Sequence, residues 1–173
     1  DFDVCYFVTE LESFIRDPHW IDVFGERTMM QTPEAMAMFP PKLGGRFSYL
    51  MLFTDGNRID LTLAPLDKAA ELGQEDGLNV VWLDKDGILP ELPPPTDEAF
   101  WVKRPSADYY ADCCNEFWWV STYVAKGLWR HELLYALDHL NRYMRPMLMC
   151  MLEWQVGART DFSVSTGKSG KYM

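Results

Sequence analysis

Apolar and polar residues alternate from the first position of the chain. Phe2, Val4 and Tyr6 alternate with Asp1, Asp3 and Cys5, and the β-branched and aromatic run through Val8 predicts a strand over residues 1–8. Thr9-Glu10-Leu11-Glu12 has the form of a capping box and predicts a short helix with Thr9 as its cap. Asp17-Pro18 opens a second short helix, with Asp as cap and Pro at the first helical position, ending at Gly25. Pro33 and the Pro40-Pro41 pair punctuate the stretch to about residue 45.

The clearest local pattern follows. Arg46 to Phe53, then Thr54-Asp55-Gly56-Asn57, then Arg58 to Pro65 predicts a β-hairpin. In its second arm Ile59, Leu61 and Leu63 alternate with Arg58, Asp60 and Thr62. Asn79 to Leu83 predicts a further strand, running into Asp84-Lys85-Asp86-Gly87. Residues 90–97 are rich in proline and mark a domain boundary, dividing the chain into 1–97 and 98–173. Beyond it the period changes. Helices are predicted over 107–127, with Ser106 as cap, over 129–144, and from Pro146 to Gly157. Strands first and helices after give an α+β domain followed by a helical one. There is no internal repeat, and the late Gly167-Lys168-Ser169 lacks the rest of a P-loop.

Composition narrows the functional classes. The 173 residues are 48% hydrophobic and include seven Trp, enough to bury a core, which excludes intrinsic disorder. With 26 acidic against 16 basic residues the net charge is -10. Such a surface repels nucleic-acid phosphates and anionic membranes, and favours a cationic small substrate. Cys5, Cys113, Cys114 and Cys150 form no CxxC pair and no zinc-site spacing. Adjacent Cys113 and Cys114 point about 100° apart on a helix and read as packing residues. No signal peptide opens the chain and no apolar run approaches ~20 residues, so a cytoplasmic setting is expected.

Candidate chemistry rests on carboxylates. Asp1 and Asp3 lie two apart on a strand and so share a face, with Cα atoms about 6.6–6.8 Å apart. Carboxylates on one face suit hard cations, because Mg²⁺ prefers oxygen ligands and keeps other positions for water and phosphates. Asp60, similarly placed on a second strand, would converge with them if the strands are neighbours, and a two-ion phosphoryl-transfer site would result. The plain alternative is three solvated acids on half-exposed strands.

On the helix over 107–127, Asp112, Asn115, Glu116, Trp119, Thr122, Tyr123 and Lys126 fall on one polar arc. Cys114, Phe117, Val120, Ser121, Val124 and Leu128 fall opposite. The arc offers rings to stack on, a lysine for phosphate, and acids for a cation. A solvated face with two docked aromatics is the simpler reading of periodicity alone. His131 and His139, eight apart, are expected on one helix face, without the HExxH spacing.

Longer stretches carry a resemblance. Asp1 to Val8, Gly44 to Leu63, Leu83-Asp84-Lys85-Asp86 and Trp101-Val102-Lys103-Arg104-Pro105 are similar, in order and spacing, to the aminoglycoside 6-adenylyltransferase family. So are Cys113 to Trp118, Val120 to Gly127 and Asp138-His139-Leu140-Asn141. The resemblance implies a polymerase-β-like nucleotidyltransferase mixed sheet followed by a helical domain. It implies transfer of AMP from ATP to a hydroxyl of streptomycin, with Mg²⁺ as cofactor and pyrophosphate released. Asp1 and Asp3 match the metal-binding pair and Asp60 the third acid. Asp60 then either completes the metal site or takes the proton of the attacking hydroxyl, a role that Glu116 or Asp112 can fill instead. By the same analogy Asn115 and Lys126 bind the nucleotide, and Trp101, Asp112 and Glu116 bind the substrate. Streptomycin's guanidinium groups suit carboxylates and an aromatic face. ATP and a cationic aminoglycoside are the implied partners, with no nucleic acid and no membrane. A nucleotidyltransferase with a different acceptor is the rival enzyme, and an antitoxin-like interaction module the non-catalytic alternative. The family also implies a Gly-Ser motif ahead of the acidic pair and helices beyond residue 173. Both domains are therefore expected to be incomplete here, and the isolated piece to catalyse poorly.

Overall fold

In this computed structural model, residues 1–38, 44–74 and 77–173 are described, so Pro40-Pro41 lies outside the described residues. The chain divides into two compact units: Asp1–Glu75 with Asn79–Pro93, and Pro94–Met173 with the short piece Asp76–Leu78.

The first unit is built on a four-stranded mixed sheet. Strands β1 (Phe2–Val8), β2 (Arg27–Gln31), β3 (Phe47–Phe53) and β4 (Arg58–Pro65) lie in the order β1-β4-β3-β2. β1 runs parallel to β4, while β3 is antiparallel to both β4 and β2. The β3–β4 hairpin turns on Gly56, whose φ of 86° belongs to the left-handed region that glycine enters without Cβ strain. Asp55 fixes the turn by accepting hydrogen bonds from the backbone and side-chain amides of Asn57, at 2.9 and 2.7 Å.

Alternation along the strands decides which face is buried. Phe47, Tyr49, Met51 and Phe53 of β3 and Leu61 and Leu63 of β4 form the core with Ile21. Helix α1 (Leu11–Arg16) and the 3₁₀ turn Pro18–Phe24 supply Leu11, Phe14, Ile15, Trp20 and Phe24 to the same cluster. Removing a leucine such as Leu61 from water is worth about 1.5–3 kcal/mol. The polar tips are satisfied: the Tyr49 hydroxyl and Trp20 Nε1 both donate to the Phe14 carbonyl, at 3.0 and 3.1 Å. Burial pushes the Tyr49 phenol up.

Several sequence expectations are corrected here. α1 begins after Glu10 with no side-chain cap, so Thr9 is not its cap. Asp17 does cap the next turn, accepting the His19 amide at 3.1 Å. Residues 79–83 form no strand: Val80, Trp82 and Leu83 are exposed. Their β propensity finds no neighbour among the described strands, and propensity without a partner makes no ladder. The expectation missed β2 altogether, whose Arg27-Thr28-Met29-Met30-Gln31 holds a single β-branched residue and no alternation. Phe2 and Tyr6, expected in the core, share the face of Val4 but stay 51% and 42% exposed, because β1 pairs with β4 alone among the described strands.

The second unit is helical. α2 (Ala107–Trp129) starts where the Ser106 hydroxyl accepts the Tyr109 amide at 3.1 Å. It buries Cys113, Val120 and Gly127, seven residues apart and so nearly superposed on one face. Cys113 is thus the deeply buried cysteine of the pair, and Leu128, expected inside, is exposed. α3 (Leu133–His139) follows a turn in which His131 has φ 60°. His131 and His139 therefore do not share a helix. α3 runs through a π-helical turn, Leu140–Met144, into α4 (Arg145–Arg159). Pro146 was expected to begin a separate helix. It sits instead in the first turn of α4, where the wide π turn absorbs its missing N–H.

Candidate active site

The acidic cluster starts from strand register. In the parallel β1–β4 pair Asp3 lies opposite Asp60, flanked by Phe2 opposite Ile59 and Val4 opposite Leu61. Opposed residues on adjacent strands point to the same face, with Cα atoms about 4.7–4.9 Å apart. Leu61 and Leu63 fill the core, so Asp3 and Asp60 stand together on the opposite, polar face. Thr62 is on that face too, its hydroxyl 3.2 Å from that of Ser48. The sheet thus brings together the two acids that the sequence placed on separate strands. Asp1 is exposed and immediately precedes β1. Among the described residues no three His, Cys, Asp or Glu side chains gather into a ready-made ion site.

Asp60 has a cationic partner on the same strand. Arg58, two residues earlier and therefore on the same face, donates from Nε to Oδ1 at 2.8 Å and from Nη2 to Oδ2 at 2.6 Å. Both oxygens of Asp60 are engaged by one guanidinium. The hydrogen bonds that Arg58 donates to this carboxylate, the carboxylate's charge, and then the charge of Asp3 raise the Arg58 pKa. In the strand pattern Arg58 is one polar position among others, without a role of its own. Its two-residue spacing from Asp60 was the signal that could have found it.

The remaining candidates lie in the helical unit. Asp112, Asn115, Glu116 and Lys126 project from the exposed side of α2. Trp119 and Tyr123 meet edge to face, and Trp119 Nε1 donates to the Tyr123 hydroxyl at 3.1 Å. Lys126 Nζ lies 4.9 Å from the centre of the Tyr123 ring. Tyr123 is half-buried against His139, which also stacks on Tyr135 and Tyr143. Trp101 is half-buried and donates from Nε1 to Asp97 at 2.8 Å. Among the described residues no cysteine forms a disulfide, and burial pushes the thiols of Cys113 and Cys150 up, which suits packing and not nucleophilic work. No helix among the described residues is long and apolar enough to cross a membrane.

Against this geometry stand the comparisons with known proteins. A family model described as streptomycin adenylyltransferase matches residues 1–173. The chain belongs to that family. It is 50% identical over its whole length to an aminoglycoside 6-adenylyltransferase of Bacillus subtilis, and 47% to one of Campylobacter jejuni. It spans 61% and 60% of those two proteins. A crystal structure of an aminoglycoside 6-adenyltransferase from Bacillus subtilis matches with 45% identity and a TM-score of 0.42, over 100% of this chain and 64% of that one. As a member of the family, the chain offers Asp3 and Asp60 in register on one sheet face as its best-defined acidic pair.

Proposed function

We propose that the protein carrying this chain transfers AMP from ATP to a hydroxyl of streptomycin. The observation that carries the reading is the placement of Asp3 directly opposite Asp60 in a chain of the streptomycin adenylyltransferase family. In the reaction the acceptor oxygen bonds to the α-phosphorus, the bond from that phosphorus to the β-phosphate oxygen breaks, and pyrophosphate leaves. The hydroxyl proton passes to a carboxylate, and Asp60 is the residue we assign to it. Asp1, Asp3 and Asp60 are the residues that would hold Mg²⁺, and carboxylate oxygens are the donors a hard cation prefers. Bound there, Mg²⁺ supplies neutralisation of the charge on the triphosphate.

The helical unit supplies recognition in this reading. Asn115 and Lys126 bind the nucleotide, Lys126 as a point charge for phosphate. Asp112 and Glu116 are one helical turn apart on an exposed face, a spacing that lets both accept from guanidinium N–H donors. Trp101 offers a ring face to a cation.

The test uses the whole protein that carries this sequence, with ATP, Mg²⁺ and a panel of aminoglycosides, and reads pyrophosphate. Release with streptomycin is expected. Release only with another acceptor, or with none, overturns the proposal. Asp3→Asn should abolish turnover, by at least about 10³-fold, while leaving the circular dichroism and melting temperature unchanged. Near-normal turnover in that variant would remove the acid pair from the mechanism.

A further inference from the structure

We infer that Arg58 is a positioning residue that stands in for the metal, holding Asp60 in a two-pronged ion pair until a divalent cation takes its place. The inference rests on the metal role proposed above for Asp3 and Asp60. Two observations carry it. Strand register fixes Asp3 and Asp60 side by side on one face, where two like charges at this spacing repel. A positive charge beside the two acids offsets that repulsion. Arg58 provides it, and its planar fork engages both Asp60 oxygens, at 2.8 and 2.6 Å. An oxygen already accepting a charge-assisted hydrogen bond is less available as an ion ligand. Cation and guanidinium then compete for the same carboxylate.

The pair is built to be released. The Arg58 side chain is 46% exposed and that of Asp60 25%, so the guanidinium can swing into water when its place is taken. Both side chains reach solvent, so a divalent ion can approach the carboxylate and compete for it. The arrangement keeps Asp60 aimed by its two bonds while setting a threshold on ion binding. Metal arriving with the triphosphate brings additional ligands and crosses that threshold, whereas free metal alone meets the opposition of Arg58.

The experiment measures Mn²⁺ binding to the whole protein by electron spin resonance, without nucleotide, for the native sequence, Arg58→Gln, Arg58→Lys and Asp3→Asn. Arg58→Gln removes the charge and the fork, and should bind Mn²⁺ at least about threefold more tightly. Arg58→Lys keeps a charge without the bidentate fork and should fall between the two. Circular dichroism melting establishes that each variant is folded. If folded Arg58→Gln binds Mn²⁺ no more tightly than the native protein, the inference is wrong. Loss of Mn²⁺ binding in Asp3→Asn at the same time would leave the metal role of the acids intact. Absence of Mn²⁺ binding from both the native protein and Arg58→Gln would overturn the inference and the metal reading beneath it. A merely structural role for Arg58 predicts weaker binding in both Arg58 variants, the opposite sign.

Discussion

Single side chains in this protein set local structure through backbone hydrogen bonds as much as through burial. Asp84 shows the effect outside the acid pair. Its carboxylate accepts the amides of Leu89 at 2.9 Å and Ile88 at 3.2 Å, closing the loop that follows the exposed residues 80–83. The Leu89 bond is the main reason that its pKa lies below the ordinary aspartate value. A depressed folded pKa means that the unfolded chain binds the proton more readily. Asp84 therefore adds stability above the unfolded value of about 3.9, and that stability disappears as pH falls through the lower folded value. Asp84→Asn should accordingly melt lower than the native protein at pH 7, with a smaller gap at a pH below the unfolded value of about 3.9. Melting curves at both pH values check this, and an equal gap at both would show that the charge is not what Asp84 contributes. Asp22 has the same sign, held down chiefly by its hydrogen bond from Arg27.

At the scale of elements, close backbone approach decides the helical unit. A Cβ placed on Gly127 would sit 2.9 Å from the Tyr135 ring, 3.0 Å from the Ala136 Cβ and 3.1 Å from the Ala136 amide. The Glu132 amide donates to the Gly127 carbonyl at 2.8 Å, so α3 turns back directly over this glycine. Gly127→Ala gains helix propensity but must push α3 away, and the overpacking cost of about 1–3 kcal/mol should win. Denaturant unfolding of the variant reads the loss, and a stabilised variant would mean that α3 can yield freely. Glycine at this position was visible in the sequence only as the expected end of the helix, whereas α2 continues two residues further, to Trp129. That pattern of partial legibility repeats. The β3–β4 hairpin and the Asp17 and Ser106 caps were readable because each is decided by residues within a few positions. β2 and the non-strand course of residues 79–83 were not, since strand formation depends on which neighbour the tertiary fold supplies. The acid pair was half legible. Alternation placed Asp3 and Asp60 on polar faces, but only the observed parallel register shows that they meet, and the Arg58 fork on Asp60 is visible only in the folded strand.

Over the whole molecule, charge and exposed aromatic surface set how a ligand is met. The net charge of -10 places a field around the chain that attracts cations at a distance, before any contact forms. Trp118, Trp119 and Trp129 of α2 are 69%, 60% and 86% exposed, so that helix combines acids with rings open to solvent. The polycationic aminoglycoside proposed above as the acceptor would gain from both, yet the two contributions respond differently to salt. Attraction between exposed charges is screened beyond a Debye length of about 10 Å at 0.1 M and about 3 Å at 1 M. Contact with an aromatic face is short-ranged and persists. If streptomycin is the acceptor, raising NaCl from 0.05 to 0.5 M should weaken its binding by roughly tenfold, mainly through a slower association rate, while dissociation changes less. Stopped-flow binding on the whole protein separates the two rates. The same salt series with ATP supplies the control of opposite charge, because screening the acidic field cannot weaken an anion's approach for the same reason. Equal losses for both ligands would assign the effect to general destabilisation, and no loss for the aminoglycoside would leave the acidic surface without a part in its capture.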